Sequence, residues 1–156
     1  MLLSQTTEYA MRAVLYIAAR YPAQVRSANL AESLDLPANY LAKTLGQLAR
    51  AGLLISTRGS TGGFRLSRAP NQIRLGEVMR AFEPNEPRRC LLGIGPCGHN
   101  PDCLVHKRWL PSAQMIEGFF DSTTIADLVV PGATHDAGLI SQHDTQRRHN
   151  KMRALQ

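Results

Sequence analysis

Apolar side chains recur at helical spacing over the first twenty residues of the chain. Between residues 4 and 20 they fall three and four positions apart, which predicts one amphipathic helix. Ser4 or Thr6 can cap its start, and Pro22 ends it because proline cannot continue a helix. The face that we expect to be buried comprises Ala10, Ala13, Val14, Ile17, Ala18 and Tyr21.

Residues 27–51 repeat this pattern in two shorter runs, which a tight turn at Asp35-Leu36 separates. Ser27 is the expected cap of the first helix. Pro37 suits the first position of the second helix, where its missing N–H would have no partner, and Gly52 supplies the stop. The second helix is expected to bury Leu41, Leu45, Leu48 and Ala49, and its other faces carry Asn39, Tyr40, Lys43, Thr44, Gln47 and Arg50.

A β-hairpin is expected after the second helix. Residues 53–57 and 64–66 predict two short strands, joined by the glycine-rich turn 58–63. The glycines of that turn permit the positive φ angles that a tight hairpin needs. A helix, a helix–turn–helix and a hairpin, in that order, predict a mainly α fold with a small β-hairpin wing. We assign this winged helix-turn-helix domain to residues 1–82.

Beyond the wing we expect two further helical segments and a loop. Leu75 and Phe82 belong to a short amphipathic helix, and residues 83–103, rich in Pro, Gly and Cys, form a loop. An apolar helix is expected from about residue 104 to 121, which Pro111 either kinks or shortens. A capped final turn follows at 123–129, and residues 131–156 are expected to be a disordered tail.

Composition and charge narrow the class of protein. The chain has 156 residues, of which 44% are hydrophobic and 19% charged, so it can bury a core. It has no apolar run of the ~20 residues that a membrane span needs, and no signal-peptide pattern, so we expect a cytoplasmic protein without a membrane partner. The net charge is +6, and residues 1–80 hold ten Lys and Arg against four Asp and Glu. The basic half indicates a polyanionic partner.

Double-stranded DNA is the partner that the helix–turn–helix predicts, because its second helix enters the major groove. Asn39 can pair with an adenine, and Lys43 with a guanine or a phosphate. Arg58, on a slim wing, suits the minor groove. Use of the same fold for protein contacts is the alternative. The candidate DNA-binding residues are Ser27, Asn39, Tyr40, Lys43, Thr44, Arg50, Arg58, Gly59, Ser60 and Thr61.

All three cysteines, Cys90, Cys97 and Cys103, lie within 14 residues of sequence, and His106 follows the last of them. An odd number argues against a disulfide framework in a cytosolic protein. The gaps between them are wider than those of a zinc knuckle. Three thiolates in one loop can instead surround an iron–sulfur cluster, with a fourth ligand from elsewhere. Three unliganded thiols, or zinc bound by the cysteines and His106, are the alternatives.

These motifs together resemble the Rrf family of bacterial winged-helix iron–sulfur regulators over roughly residues 1–130. The resemblance is carried by Glu8-Tyr9-Ala10, Asn39-Tyr40-Leu41, the wing 58–66, residues 73–78, the cysteine loop and residues 124–129. It implies a homodimer on a palindromic operator, in which the helix of segment 104–130 crosses its partner and serves as a long dimerisation helix.

The resemblance also implies that the three cysteines bind a cluster of the 2Fe–2S or 4Fe–4S type. The fourth ligand is then either His106 or Glu8, the latter supplied by the other subunit in some relatives. Arg12, one helical turn from Glu8, can offset cluster charge or form an ion pair with Glu8. Pro37 stands where relatives often have a serine that bonds to phosphate.

The sequence therefore predicts a transcriptional regulator, with a repressor as the expected type. Its cluster would sense nitric oxide, redox state or iron–sulfur status. A zinc-stabilised DNA-binding regulator without sensing is one alternative, and a small iron–sulfur redox protein is another. An enzyme is not expected, because the sequence has no recognisable nucleophile–base motif.

Overall fold

The order of elements matches the pattern of apolar positions. The computed structural model describes residues 3–59, 62–83, 91–92 and 103–129. Its elements are α1 (Gln5–Ala18), α2 (Ser27–Leu34), α3 (Ala38–Arg50), β1 (Leu54–Thr57), β2 (Gly63–Leu66), a 3₁₀ turn (Pro70–Gln72), α4 (Leu75–Arg80), α5 (Leu104–Ser122) and a second 3₁₀ turn (Ile125–Leu128). The fold is thus mainly α with a small β-hairpin, as expected.

Helix α1 is the central element of the core, because it contacts α2, α3, α4 and β2. Ser4 caps it, with its Oγ accepting a hydrogen bond from the backbone N–H of Thr7 at 3.2 Å. Eight of its fourteen residues are buried. Tyr21, however, lies beyond the helix and is 43% exposed, so its predicted place on the buried face is wrong.

The helix–turn–helix forms where expected, but both predicted helix starts are shifted. Arg26 occupies the cap position of α2, so Ser27 is the first helical residue and not the cap. Pro37 is the cap residue of α3 and not its first helical residue. Asp35, with a left-handed φ of +50°, makes the tight turn after α2.

The hairpin pairs β1 and β2 antiparallel, with Leu54 opposite Leu66 and Thr57 opposite Gly63. Val25 forms an isolated antiparallel bridge to β2, because it exchanges two backbone hydrogen bonds of 2.8 Å with Phe64. A Cβ at Gly63 would lie 2.4 Å from the Val25 carbonyl oxygen, so only glycine fits this approach.

The chain after the hairpin returns to the core. Helix α5 continues through Pro111, so the proline does not divide it. The backbone N–H of Ile125 donates to the Ile73 carbonyl at 2.9 Å, and the Ile125 side chain is fully buried. Thr124 and Asp127 form a capping box at the final turn, which confirms the predicted capped turn.

The part of the chain that the structure describes contains no helix that could cross a membrane. The predicted tail, 131–156, lies outside the described residues.

Candidate nucleic-acid interface and cysteine segment

Helix α3 presents one exposed polar face. Leu41, Leu45 and Leu48 hold its opposite side, each with 0% exposure. Because Asn39, Lys43 and Arg50 follow each other at intervals of four and seven residues, their exposed side chains share a face. Such a rigidly backed polar face can enter a major groove.

Two small residues, Ala42 and Gly46, complete that face, and sequence reasoning did not single them out. A Cβ added at Gly46 would meet only the Arg50 Nη1, at 3.8 Å. Small side chains here let the helix backbone approach a ligand surface closely. The sequence signal for these two residues is their spacing, because they are four positions apart and fall among the polar positions 39, 43 and 50.

Thr44 and Tyr40, two α3 residues that were predicted to contact DNA, form contacts inside the protein. Thr44 is only 2% exposed, and its Oγ1 donates to the Tyr40 carbonyl at 3.1 Å. Its predicted place on a polar outer face is therefore wrong. The Tyr40 ring packs edge-to-face on Tyr9, with centroids 5.6 Å apart, and the Tyr40 hydroxyl hydrogen-bonds the Thr6 hydroxyl. Tyr40 thus joins α3 to α1.

A groove of about 330 Å³ separates the wing from the start of α2. Arg58, next to Gly59 on its rim, is exposed. Helix α2 begins there without a side-chain cap hydrogen bond, so its N-terminus presents positive partial charge. This combination suits a phosphate group. The lining comprises Arg26, Ser27, Ala28, Thr57, Gly59, Gly62, Gly63 and Phe64, whereas Ser60 and Thr61 lie outside the described residues.

The last cysteine sits at the start of α5. Cys103 caps the helix, and its Sγ accepts a hydrogen bond from the backbone N–H of His106 at 3.4 Å. A helix N-terminus favours negative charge, so this position suits a thiolate ligand. Cys90 and Cys97 lie outside the described residues, and within the described ones no group of three potential metal ligands comes together.

An unpartnered donor also lies on α5. The indole Nε1 of Trp109 is buried and has no hydrogen-bond partner among the described residues. A buried orphaned donor costs free energy unless an acceptor reaches it. Trp109 is six positions from Cys103, so the two side chains leave α5 on different sides, and the thiol at the helix start is the described group that fits an iron–sulfur cluster.

The other ligand candidate, Glu8, lies in the first turn of α1 and is half-buried. Arg12, one turn further along, donates from Nη2 to the Leu34 carbonyl at 3.0 Å and so ties α1 to the end of α2. The structure thus places the Glu8 and Cys103 candidates on two different helices.

Comparison with known proteins decides the family. The model of the Rrf2 family, described as an iron-dependent transcriptional regulator, matches residues 3–131. The chain belongs to the Rrf2 family. An Aquifex aeolicus protein described as an HTH-type transcriptional regulator is 32% identical over 132 residues, which cover 83% of this chain and 92% of that protein.

Solved Rrf2-family structures share the fold. CymR, the global cysteine regulator of B. subtilis, superposes with a TM-score of 0.69 at 26% identity, over 82% of this chain and 95% of its own. IscR from T. potens superposes with a TM-score of 0.67 at 24% identity, over 93% and 96%. This protein is accordingly a transcriptional regulator and not an enzyme, as the sequence predicts.

Proposed function

We propose that this Rrf2-family protein is a repressor that binds a palindromic operator as a homodimer and responds to nitric oxide, redox state or iron–sulfur status. The observation that carries the DNA-binding proposal is the exposed α3 face with Asn39, Lys43 and Arg50. In this proposal α3 enters the major groove, Arg58 reaches the minor groove, and a phosphate lies in the groove beside Ser27. Thr44 is left out because it is buried.

The homodimer proposal rests on helix α5. Among its 19 described residues only Ala113 and Phe120 are buried. Leu104 and Met115 are 76% and 77% exposed, and Phe119 is 52% exposed. These side chains recur at spacings of eleven and four, which places them on one face of the helix. Arg108 and Pro111 lie on this face between Leu104 and Met115, and the exposed apolar side chains on either side of them are covered most simply by the same helix of a second copy.

The cofactor proposal assigns an iron–sulfur cluster to Cys90, Cys97 and Cys103, with His106 or Glu8 as the fourth ligand. When bound, such a cluster supplies a centre that reacts with nitric oxide or oxidants. Cys103 would present its sulfur at the α5 N-terminus, where the helix dipole favours a thiolate. The TM-scores with CymR (0.69) and IscR (0.67) are nearly the same, so the cysteines and not the fold support this choice.

Mass measurement tests the cofactor. The full chain, purified without oxygen from iron-replete cells, should have a native mass that exceeds the polypeptide mass by iron and sulfide, and nitric oxide should change it. Cys103→Ser should lose this added mass. A mass increment of zinc would support the zinc-stabilised alternative, and a metal-free protein would overturn the cluster proposal.

Operator binding tests the α3 face separately. The probe is a duplex selected from a random library with the anaerobically purified protein. Lys43→Ala should weaken its binding by roughly tenfold, because one base or phosphate contact contributes about 1–3 kcal/mol. Lys107→Ala, which removes an exposed lysine from α5, is the matched control. Equal affinities of the two variants would contradict the assignment of α3.

A further inference from the structure

Ala81, Phe82 and Glu83 are the last described residues before the cysteines, and Ala81 contacts α3, the proposed recognition helix, directly. We call these three residues the stem. The side-chain Nε2 of Gln47 in α3 donates to the Ala81 carbonyl at 2.7 Å. Residues 47 and 81 are far apart in sequence, so this hydrogen bond depends on how α3 and α4 pack together and not on local helix geometry. It fixes the middle of α3 to the end of α4.

The stem also holds the first turn of α1. The Glu83 Oε1 accepts hydrogen bonds from the Ser4 backbone N–H at 3.1 Å and from the Thr7 hydroxyl at 2.6 Å. Thr7 has 0% exposure, so one of these two donors belongs to a buried residue. The hydrogen bonds from Thr7 and Ser4 lower the pKa of Glu83, and the carboxylate is charged at neutral pH.

The first turn of α1 in turn holds the start of α3. Thr6 and Tyr9 contact Tyr40 through a hydroxyl–hydroxyl hydrogen bond and an edge-to-face ring contact. Tyr40 and Gln47 are seven residues apart and therefore lie on one side of α3, next to its exposed polar face. Both attachments of that side lead back to the stem, one directly and one through α1.

We propose that the stem positions the recognition helix and transmits the state of the cysteine segment to it through Gln47 and Glu83. The second part rests on the proposed function. A displacement of the stem moves the Ala81 carbonyl and the Glu83 carboxylate together, so both attachments of α3 change at once. Because these attachments flank Lys43, such a displacement re-aims the side chains that face DNA. Gln47 and Glu83 are thus positioning residues that need not touch DNA themselves.

The test compares affinities for the selected duplex before and after the cluster is removed with an iron chelator and a mild oxidant. Gln47→Met keeps the side-chain length but has no N–H donor. Glu83→Ala removes the acceptor, whereas Glu83→Gln keeps an oxygen that can still accept. Gln72→Met, at an exposed position in the first 3₁₀ turn, is the matched control. Hydrogen–deuterium exchange of α3 is measured on the same proteins.

The wild-type protein and Gln72→Met should show an affinity ratio between the two states within the range of roughly 5–150-fold that allosteric couplings span. The double variant Gln47→Met/Glu83→Ala should bring that ratio close to unity and speed exchange in α3. Glu83→Gln should restore most of the ratio that Glu83→Ala loses. A double variant with the wild-type ratio would overturn the proposal.

A wild-type ratio of unity would instead overturn the sensing part of the proposed function. Hydrogen exchange then decides the stem's positioning role without reference to the cluster. Faster exchange in α3 of the double variant than of Gln72→Met supports that role. Equal exchange in the two proteins refutes it.

Discussion

Helices α1 and α5 differ in how their apolar side chains are used. Eight of the fourteen residues of α1 are buried, whereas two of the nineteen in α5 are. Helix α1 finds its partners within the same chain, among α2, α3, α4 and β2. Helix α5 leaves Met115 and Phe119 exposed on an apolar face. The winged half therefore packs its apolar side chains within one chain, whereas the exposed apolar side chains of α5 are the basis of the proposed homodimer.

The largest effect that tests this comparison is expected in the winged half. Leu45→Ala, at 0% exposure, should lower the free energy of unfolding by about 3 kcal/mol, because it leaves a cavity behind α3. Met115→Ala, at 77% exposure, should change the stability of the dissociated chain by less than about 0.5 kcal/mol. Urea unfolding at one low protein concentration measures both. Equal losses would remove the distinction between the two regions.

Association of two chains should show the converse sensitivity. Met115→Glu places a carboxylate on the exposed apolar stripe and should raise the dimer dissociation constant at least about tenfold, since burying an unpaired charge is costly. Gln114→Glu adds the same charge at the neighbouring exposed position and is the control. Sedimentation equilibrium gives both constants. A dimer that tolerates Met115→Glu would place the interface elsewhere.

The smallest expected effect concerns Glu83 and pH. Its pKa in the folded protein lies below the ordinary value of 4.5, because of the hydrogen bonds from Thr7 and Ser4. The carboxylate therefore adds stability that is present above pH 4.5 and is lost as pH falls through the lowered pKa. The effect is small because the group remains partly exposed and solvent screens it.

Urea unfolding of the wild-type protein and Glu83→Gln at pH 7 and in acid checks this sign. The wild-type protein should be the more stable at pH 7, and the difference should shrink in acid. Glu32→Gln, which removes an exposed carboxylate from α2, is the control. A difference that grows as the pH falls would show that the charged form is not the stabilising one.

The helices and the wing could be predicted because periodic burial and turn glycines are local properties of the sequence. The predicted helix starts at Ser27 and Pro37 were shifted, since the caps depend on how the chain enters each helix. Thr44 was misplaced although Leu41, Thr44, Leu45 and Leu48 form one helical stripe. Its hydroxyl suggested an outer face, but the Tyr40 carbonyl satisfies that hydroxyl inside the core.

The contacts of the stem could not be predicted in this way. The Gln47–Ala81 bond joins residues 34 positions apart, and the Ser4–Glu83 bond joins residues 79 positions apart. Neither contact produces a periodic pattern in the sequence, because each depends on how α1, α3 and α4 pack. The cysteine spacing, in contrast, is itself local, which is why the sequence supports a ligand set although only Cys103 is described.

The buried Ile125 has a consequence for engineering. Its side chain, contributed from beyond α5, is fully enclosed, and its N–H is bonded to Ile73. A fragment that ends before α5 lacks this side chain and exposes the apolar surface it covers. The DNA-binding half is thus not a self-sufficient folding unit. A fusion protein built from residues 1–82 alone would expose the apolar surface that Ile125 covers in the full chain.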